Sequence, residues 1–337
     1  MPCPTLEQLP PPPPGQTGWP WTEAPPVLPD ALPDGQPWPR ISLVTPTYNQ
    51  ARWLEGTIRS VLLQGYPNLE YIVINDGSTD ETASILEKYG PFLTHWETQA
   101  NRGQSYSINK GLARSTGVIF NWLNSDDQLV PGALAEVARL WQESPASILV
   151  GACSQVDPAG QEIRHWPPQF PQKFVYFFAH RDYAVAQPSA FLDCALTRKV
   201  GGVRDNLRCV MDWELYLRLL LEMPEEVKVV TTPRLLSRAL YHPACKTAAL
   251  GHIFRREVID VLAANCHRLP LLDRLRVRHT LARLRAQEAL FGEGRGERPG
   301  MRKLLALAVK QPSILSTRYF WGSVRRSLVS PQPQPSA

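Results

Sequence analysis

"ISLVTPTYNQARWLEGTIRSVLLQGYPNLEYIVIND", residues 41–76, reads as strand, helix, strand. "ISLVT" (41–45) is a short β-branched apolar run. In "ARWLEGTIRSVLLQ" (51–64), Leu54, Ile58, Val61 and Leu62 recur at helical spacing. "LEYIVIND" (69–76) is a second apolar run that ends in a carboxylate, Asp76. A crossover helix joins parallel strands. Such strands are covered on both faces, so each reads as a continuous apolar run.

The pattern continues downstream. "STDETASILEKYG" (78–90) predicts a helix with Ser78 or Thr79 as N-cap and Gly90 as its stop. "PFLTHWET" (91–98) is a third strand, "GQSYSINKGLARSTG" (103–117) a helix, and "VIFNWLN" (118–124) a fourth strand. Pro131 opens the helix "PGALAEVARLWQES" (131–144), and "SILVGA" (147–152) is a fifth strand. Beyond it, "VDPAGQEI" (156–163) reads as a hairpin and "AVAQPSAFL" (184–192) as strand-like. "VMDWELYLRLLLEM" (210–223) is an amphipathic helix, and "EVKVVTTPRLLSRALYH" (226–242) is one or two strands. The fold class is α/β, a mainly parallel sheet flanked by helices.

In such sheets ligands bind outside the carboxyl ends of the strands. Three polar clusters fall there: "TPTYN" (45–49), "NDGSTD" (75–80) and "NSDD" (124–127). The last carries adjacent carboxylates, Asp126 and Asp127, which repel each other and are costly to desolvate. A hard divalent cation, Mg²⁺ or Mn²⁺, would offset that repulsion. The alternative is that one of them caps the helix entered at Pro131. Asp76 suits a base or ribose, or else a turn. Thr45, Pro46 and Tyr48 suit a wall under a flat ring, or else an ordinary strand-to-helix turn. Arg102 suits a base or phosphate, or else a solvated turn.

These blocks, with "NRGQSYSINKGLARSTG" and "LNSDDQLVPGAL", resemble the family 2 glycosyltransferases over roughly 41–250. The resemblance implies a GT-A fold, a nucleotide-diphospho-sugar donor, a divalent metal and inversion. It also implies a general base on a later helix. "MDWELYLR" presents Asp212, Leu215 and Arg218 at the family's spacing, with Met211 where a Glu often stands. Asp212 and Glu214 lie in an otherwise apolar segment, where desolvation would raise a carboxylate pKa toward the range of a general base. The alternative for Asp212 is a helix cap. "YHPACKT" (241–247) resembles the family's His-x3-Lys-Thr segment, which would set His242 and Lys246 on the diphosphate. "QPSAF" (187–191) resembles a block near the acceptor side, where Gln187 and Glu214 are weaker candidates. The rival readings are a catalytically silent GT-A-like binding module and a nucleotidyltransferase. The latter usually carries a Gly-rich phosphate loop, which "TPTYNQ" is not.

The remaining features bound the organisation. The 337 residues are 43% hydrophobic and carry +5, enough for one large or two modest domains. No apolar run approaches the roughly 18 to 20 residues of a membrane span. The N-terminus lacks the basic and apolar regions of a signal peptide. The six cysteines are scattered, without zinc or disulfide spacing. A cytoplasmic protein is expected, peripheral at the inner membrane face. Residues 1–40 hold 14 of the 33 prolines and predict a disordered or loosely docked arm pinned by a tryptophan. Residues 41–250 would form the catalytic domain, 251–330 a basic helical extension and 331–337 a disordered tail. From Gly251 onward, 16 Lys+Arg stand against 6 Asp+Glu, a net of +10. Arginines among leucines at 270–330 suit a membrane interface, the alternative being a solvated helical bundle; no motif points to nucleic acid. The expected partners are the donor and a glycan or lipid-linked acceptor.

Overall fold

The computed structural model describes residues 3–24, 27–170, 185–291, 301–310, 312, 315 and 318–329. The tail expected at 331–337 lies outside them. The chain forms two units, Met1–Phe174 with Asp182–Ala248, and Val175–Arg181 with Ala249–Ala337.

The opening stretch forms β1 (Ile41–Thr47), α1 (Ala51–Leu62) and β2 (Leu69–Asn75). β1 and β2 pair in parallel, Ile41 opposite Leu69 and Thr47 opposite Asn75, and every residue of both is buried. Next come α2 (Thr82–Tyr89), β3 (His95–Thr98), α3 (Gln104–Arg114) and β4 (Ile119–Trp122). Then follow β5 (Gln128–Leu129), α4 (Ala133–Glu143), β6 (Ile148–Val156) and β7 (Glu162–Trp166). The first unit closes with β8 (Ala190–Asp193), α5 (Cys194–Lys199), α6 (Met211–Glu222), β9 (Val229–Leu240) and α7 (Lys246–Ala249).

One sheet runs β3-β2-β1-β4-β8-β6-β9-β5, with β7 paired to β6. The four strands from β3 to β4 are mutually parallel, as expected. The other half is mixed: β8 is antiparallel to β4 and β6, while β9 is parallel to β6. β7 reverses through the tight turn at Asp157–Gly160, where the Asp157 carboxylate accepts from Ala159 and Gln161 amides. The chain winds outward from β1 to β3, then returns to place β4 on the other side of β1. That reversal opens a crevice at the carboxyl ends of β1 and β4. Gly111 lets α3 settle against β1, because a Cβ on it would overlap Val44.

Two local expectations change. α2 starts at Thr82, later than the Ser78 or Thr79 cap predicted. The Asp80 carboxylate instead accepts from Thr82 and Ala51 amides, tying α2 to α1. α4 starts after Gly132, whose φ of 77° fits the left-handed region, and no carboxylate caps it.

The arm is packed, not loose. Leu9, Trp19, Leu32 and Trp38 lie in the same core as Leu54, Ile58 and Leu63. Trp19 Nε1 donates to Leu129 O at 2.8 Å, so a pinning tryptophan is present. The larger anchor is Arg59 of α1, which is fully buried. It donates to the carbonyls of Pro10 (2.8 Å), Pro20 (3.0 Å) and Trp21 (3.0 Å), and to the Tyr89 hydroxyl (3.1 Å). Proline has no N–H but keeps its carbonyl, so a Pro-rich arm is an acceptor surface suited to a buried guanidinium.

The second unit is helical: α8 (Gly251–Asn265), α9 (Leu271–Phe291), α10 (Met301–Lys310) and α11 (Arg318–Val329). α9 packs against α8 and α11. Val277, Leu281, Leu304 and Phe320 are buried. No helix among the described residues is long and apolar enough to cross a membrane.

Arg59→Met keeps the volume but leaves three arm carbonyls without their donor. The expected loss is about 2 to 4 kcal/mol of unfolding free energy, read by urea denaturation. An unchanged midpoint would show the arm to be held by its tryptophans alone.

Candidate active site

The segment after β4 has little secondary structure of its own. A polar stripe on α1 and the turn that follows it holds it. Thr57 Oγ1 donates to Asp127 O (2.8 Å), and Ser60 Oγ accepts from Leu129 N (3.2 Å). Gln64 donates to Val130 O (2.9 Å) and accepts from Leu134 N (3.2 Å). All three side chains belong to buried residues.

Held this way, the two carboxylates part. Asp127 is buried. It accepts from Leu240 N (3.2 Å) at the end of β9 and from Asn124 Nδ2 (3.1 Å). Burial first, then the neighbouring Asp126 charge, push its carboxyl well above the usual range. Asp126 is more open, and its Oδ2 meets His242 Nε2 at 3.2 Å. The His242 ring packs on Trp53 (centroids 5.6 Å apart), which itself lies under the Arg52 guanidinium. The two carboxylates of the expected metal pair thus have different partners: Asp127 meets backbone and Asn124, and Asp126 meets an imidazole.

A second chain of contacts crosses the strand ends. Gln104, at the start of α3, donates to Asn124 Oδ1 (2.6 Å) and accepts from Lys246 Nζ. Lys246 also donates to Arg208 O at 2.9 Å. Asp76 is buried and accepts from Gln99 Nε2 (2.8 Å), Arg102 N (2.9 Å) and Gly103 N (2.7 Å). Its charge thus sits at the amide-rich start of α3. Gly103 takes φ 93°, which lets its amide turn to that carboxylate. Arg102 is exposed, its guanidinium 3.7 Å from the Tyr106 ring centroid. Asn49, with φ 51°, ties the end of β1 to the end of β2 by accepting from Thr79 N (2.7 Å) and donating to Ser78 Oγ (2.9 Å).

Of the expected ring wall, only Tyr48 is exposed. Pro46 is buried, and Thr45 is a core residue whose hydroxyl meets Tyr71 OH at 3.0 Å. The neighbouring Thr47 was overlooked; its buried Oγ1 has no partner.

Asp212 lies in the first turn of α6, whose N-cap, Val210, makes no side-chain cap bond. Burial raises its carboxyl to about 6, against the lowering pull of the Trp213 and Asp212 amides and of the Lys246 charge. Glu214 goes elsewhere. It forms a buried two-pronged pair with Arg218 (3.0 and 2.7 Å), and Arg218 continues to Gly202 O (2.7 Å). It anchors α6 to the preceding loop, where an acceptor contact was expected. Gln187 is buried and donates to Asn121 Oδ1 (3.1 Å) and Trp122 O (2.7 Å), while its Oε1 has no partner. Trp53, Gln99, Gln104 and Asn124 are the residues that sequence reasoning missed. Apolar periodicity does not single out Gln104 at a helix start, or Gln99 and Asn124 in the loops after β3 and β4.

Asp126 and His242 offer one oxygen and one nitrogen donor, a set that fits Mn²⁺ better than Mg²⁺, which prefers oxygen alone. Among the described residues no group of three or more His, Cys, Asp or Glu gathers as a metal cage. A cation here would take its other ligands from phosphate oxygens.

Residues 42–198 match the family described as Glycosyl transferase family 2. The Bacillus subtilis glycosyltransferase TuaG, named for teichuronic acid biosynthesis, is 37% identical over 185 residues, which cover 54% of this chain and 72% of that protein. Against three Rickettsia glycosyltransferases the chain spans only 22%, 19% and 22% of their length. In structure, S. aureus TarS 1-349 in complex with UDP is similar, with a TM-score of 0.57, 16% identity and coverage of 86% of this chain and 88% of that one. The mannosyltransferase PcManGT from Pyrobaculum calidifontis, in complex with GDP-Man and Mn²⁺, is similar with a TM-score of 0.52, 19% identity and coverage of 86% and 87%. At these identities the likeness shows the fold, and it is the expected GT-A fold.

A carboxyl raised to about 6 is protonated below that pH and ionised above it. Carbon-detected NMR should therefore find one carboxyl titrating near pH 6 that disappears in Asp212→Asn. If the signal that Asp212→Asn removes titrates below about 4.5, the desolvated site is excluded.

Proposed function

This chain belongs to glycosyl transferase family 2, and we propose that it moves a sugar from a nucleotide-diphospho-sugar to a hydroxyl acceptor with inversion. The observation that carries the reading is the grouping of Asp126 with His242, and of Lys246 close enough to Asp212 for its charge to act there. One end of this grouping suits a diphosphate and the other a proton.

The acceptor hydroxyl gives its proton to the Asp212 carboxylate. Its oxygen bonds to the anomeric carbon as the bond from that carbon to the phosphate oxygen breaks. The nucleoside diphosphate leaves with the electron pair, and a single displacement inverts the centre. A pKa near 6 leaves Asp212 ionised at neutral pH yet basic enough to accept the proton. A divalent cation held by Asp126 and His242 would neutralise charge on the departing diphosphate. Lys246 is exposed and adds positive charge at the same place. Tyr48 and Arg102 offer a ring face and a cation to the nucleotide, and Asp76 positions Arg102 through its amide. Gln187, with one buried oxygen unpartnered, serves the acceptor side by fixing the end of β4.

TuaG's name assigns that relative to teichuronic acid biosynthesis, which supports a polysaccharide, glycolipid or cell-envelope glycan acceptor here. All six cysteines are free, which supports a reducing, cytoplasmic setting.

The deciding experiment is a donor screen with the purified chain, scoring release of UDP, GDP or dTDP with Mn²⁺ or Mg²⁺. One donor should turn over, with a rate that falls as pH drops through about 6. Asp212→Asn should keep donor affinity and lose roughly 10² to 10⁴ in turnover. Retained donor binding without release from any donor would instead establish a silent binding module. Separately, Asp126→Asn should lose more turnover than Asp127→Asn, because only Asp126 faces His242. The reverse order would return the metal to Asp127.

A further inference from the structure

α8 and α9 of the C-terminal unit, with the short turn between them, line an open cavity of about 300 Å³. Its apolar floor is Ala263, Cys266 and Leu281. Its polar lining is His267, Arg274, Arg278 and Arg285, with no carboxylate among the described lining residues. Arg274, Arg278, Leu281 and Arg285 follow i, i+4, i+7, i+11 and so share one face of α9. The two acids of α9 are engaged elsewhere: Asp273 with Arg276 (3.6 Å) and Glu288 with Arg256 (3.7 Å).

Arg274 is the telling residue. Its Nη2 donates to the carbonyls of His267 and Leu269, both at 3.1 Å, which holds the guanidinium in place. Its Nε is buried and has no acceptor. That buried donor faces protein, and what Arg274 gives the cavity is a fixed positive charge beside Arg278 and Arg285, which suits an oxyanion. Arg278 and Arg285 are exposed and make no ion pair among the described residues.

The source of that oxyanion is argued from the next turn of the helix. Leu271, Leu272 and Leu275 are 68%, 71% and 53% exposed, three large apolar side chains at the start of α9. Leu271 is i−3 from Arg274, and Leu275 is i−3 from Arg278, so leucines and arginines share the same surface. Apolar side chains beside a phosphate-sized basic cavity complement the boundary between lipid tails and headgroups. The net +10 from Gly251 onward complements an anionic surface. We infer that this cavity receives the phosphate of an anionic phospholipid, with Leu271, Leu272 and Leu275 entering the membrane beside it.

The test is vesicle flotation with the full chain, using phosphatidylcholine vesicles with and without phosphatidylglycerol. The chain should float only with the anionic vesicles. Arg278→Gln/Arg285→Gln alters only exposed side chains and should weaken partitioning roughly tenfold to a hundredfold. Leu271→Ser/Leu272→Ser should weaken it as well. Calorimetry with inorganic pyrophosphate separates the sources. Tight pyrophosphate binding that needs the arginines, together with no vesicle binding, would overturn the lipid in favour of a soluble phosphate. Equal flotation of wild type and the arginine pair would overturn the site, as would tighter binding to duplex DNA than to anionic vesicles. Nucleotide release to a soluble acceptor, measured on the same variants, keeps failure of this inference distinct from failure of the transferase reading.

Discussion

Helix α1 carries the constraint on which the candidate site depends. From Gly56 through Leu62 and the turn to Gln64 it is buried all round, so its polar side chains have no water to turn to. Thr57, Ser60 and Gln64 find partners in the backbone of residues 127–134, and Arg59 finds them in the arm. The same requirement, satisfying buried donors and acceptors, therefore fixes the segment that bears Asp126 and Asp127 and the segment before β1. The two attachments also meet: Trp19 of the arm donates to Leu129, two residues after Asp127.

This backing explains how two adjacent carboxylates are tolerated at a strand end. They do not share an environment. Asp127 turns to an amide and an asparagine, and Asp126 to an imidazole. α6 repeats the device across two residues. Glu214 is neutralised by Arg218 one turn on, whereas Asp212 makes no ion pair among the described residues and is desolvated. Two acids in the same first turn thus acquire different settings, one paired and one desolvated with a raised pKa, from neighbours rather than from type.

The architecture was legible because it rests on local periodicity. Continuous apolar strands alternating with amphipathic helices imply parallel pairing, and parallel pairing brings the polar clusters after β1, β2 and β4 to one edge. What misled was polarity itself. The polar positions of α1 carry no apolar signal, although they face protein backbone. The prolines of residues 1–40 imply a chain unable to build its own core, yet their carbonyls are what a buried arginine needs. Thr45 occupies a strand-end motif but points into the core toward Tyr71.

The sequence by itself determined the order of strands and helices, the strand ends where carboxylates gather, the acid at Asp212 and the basic character beyond Gly251. All of these follow from composition and from spacings of a few residues. Only the tertiary structure decided which carboxylate stays open, which acid is paired and which arginines line a cavity. Those outcomes depend on partners that spacing cannot reveal: His242 lies 116 positions from Asp126, and Leu240 lies 113 from Asp127. A side chain's charge state and hydrogen bonds are set by what the folded chain brings within a few ångströms, and that is a property of the packing.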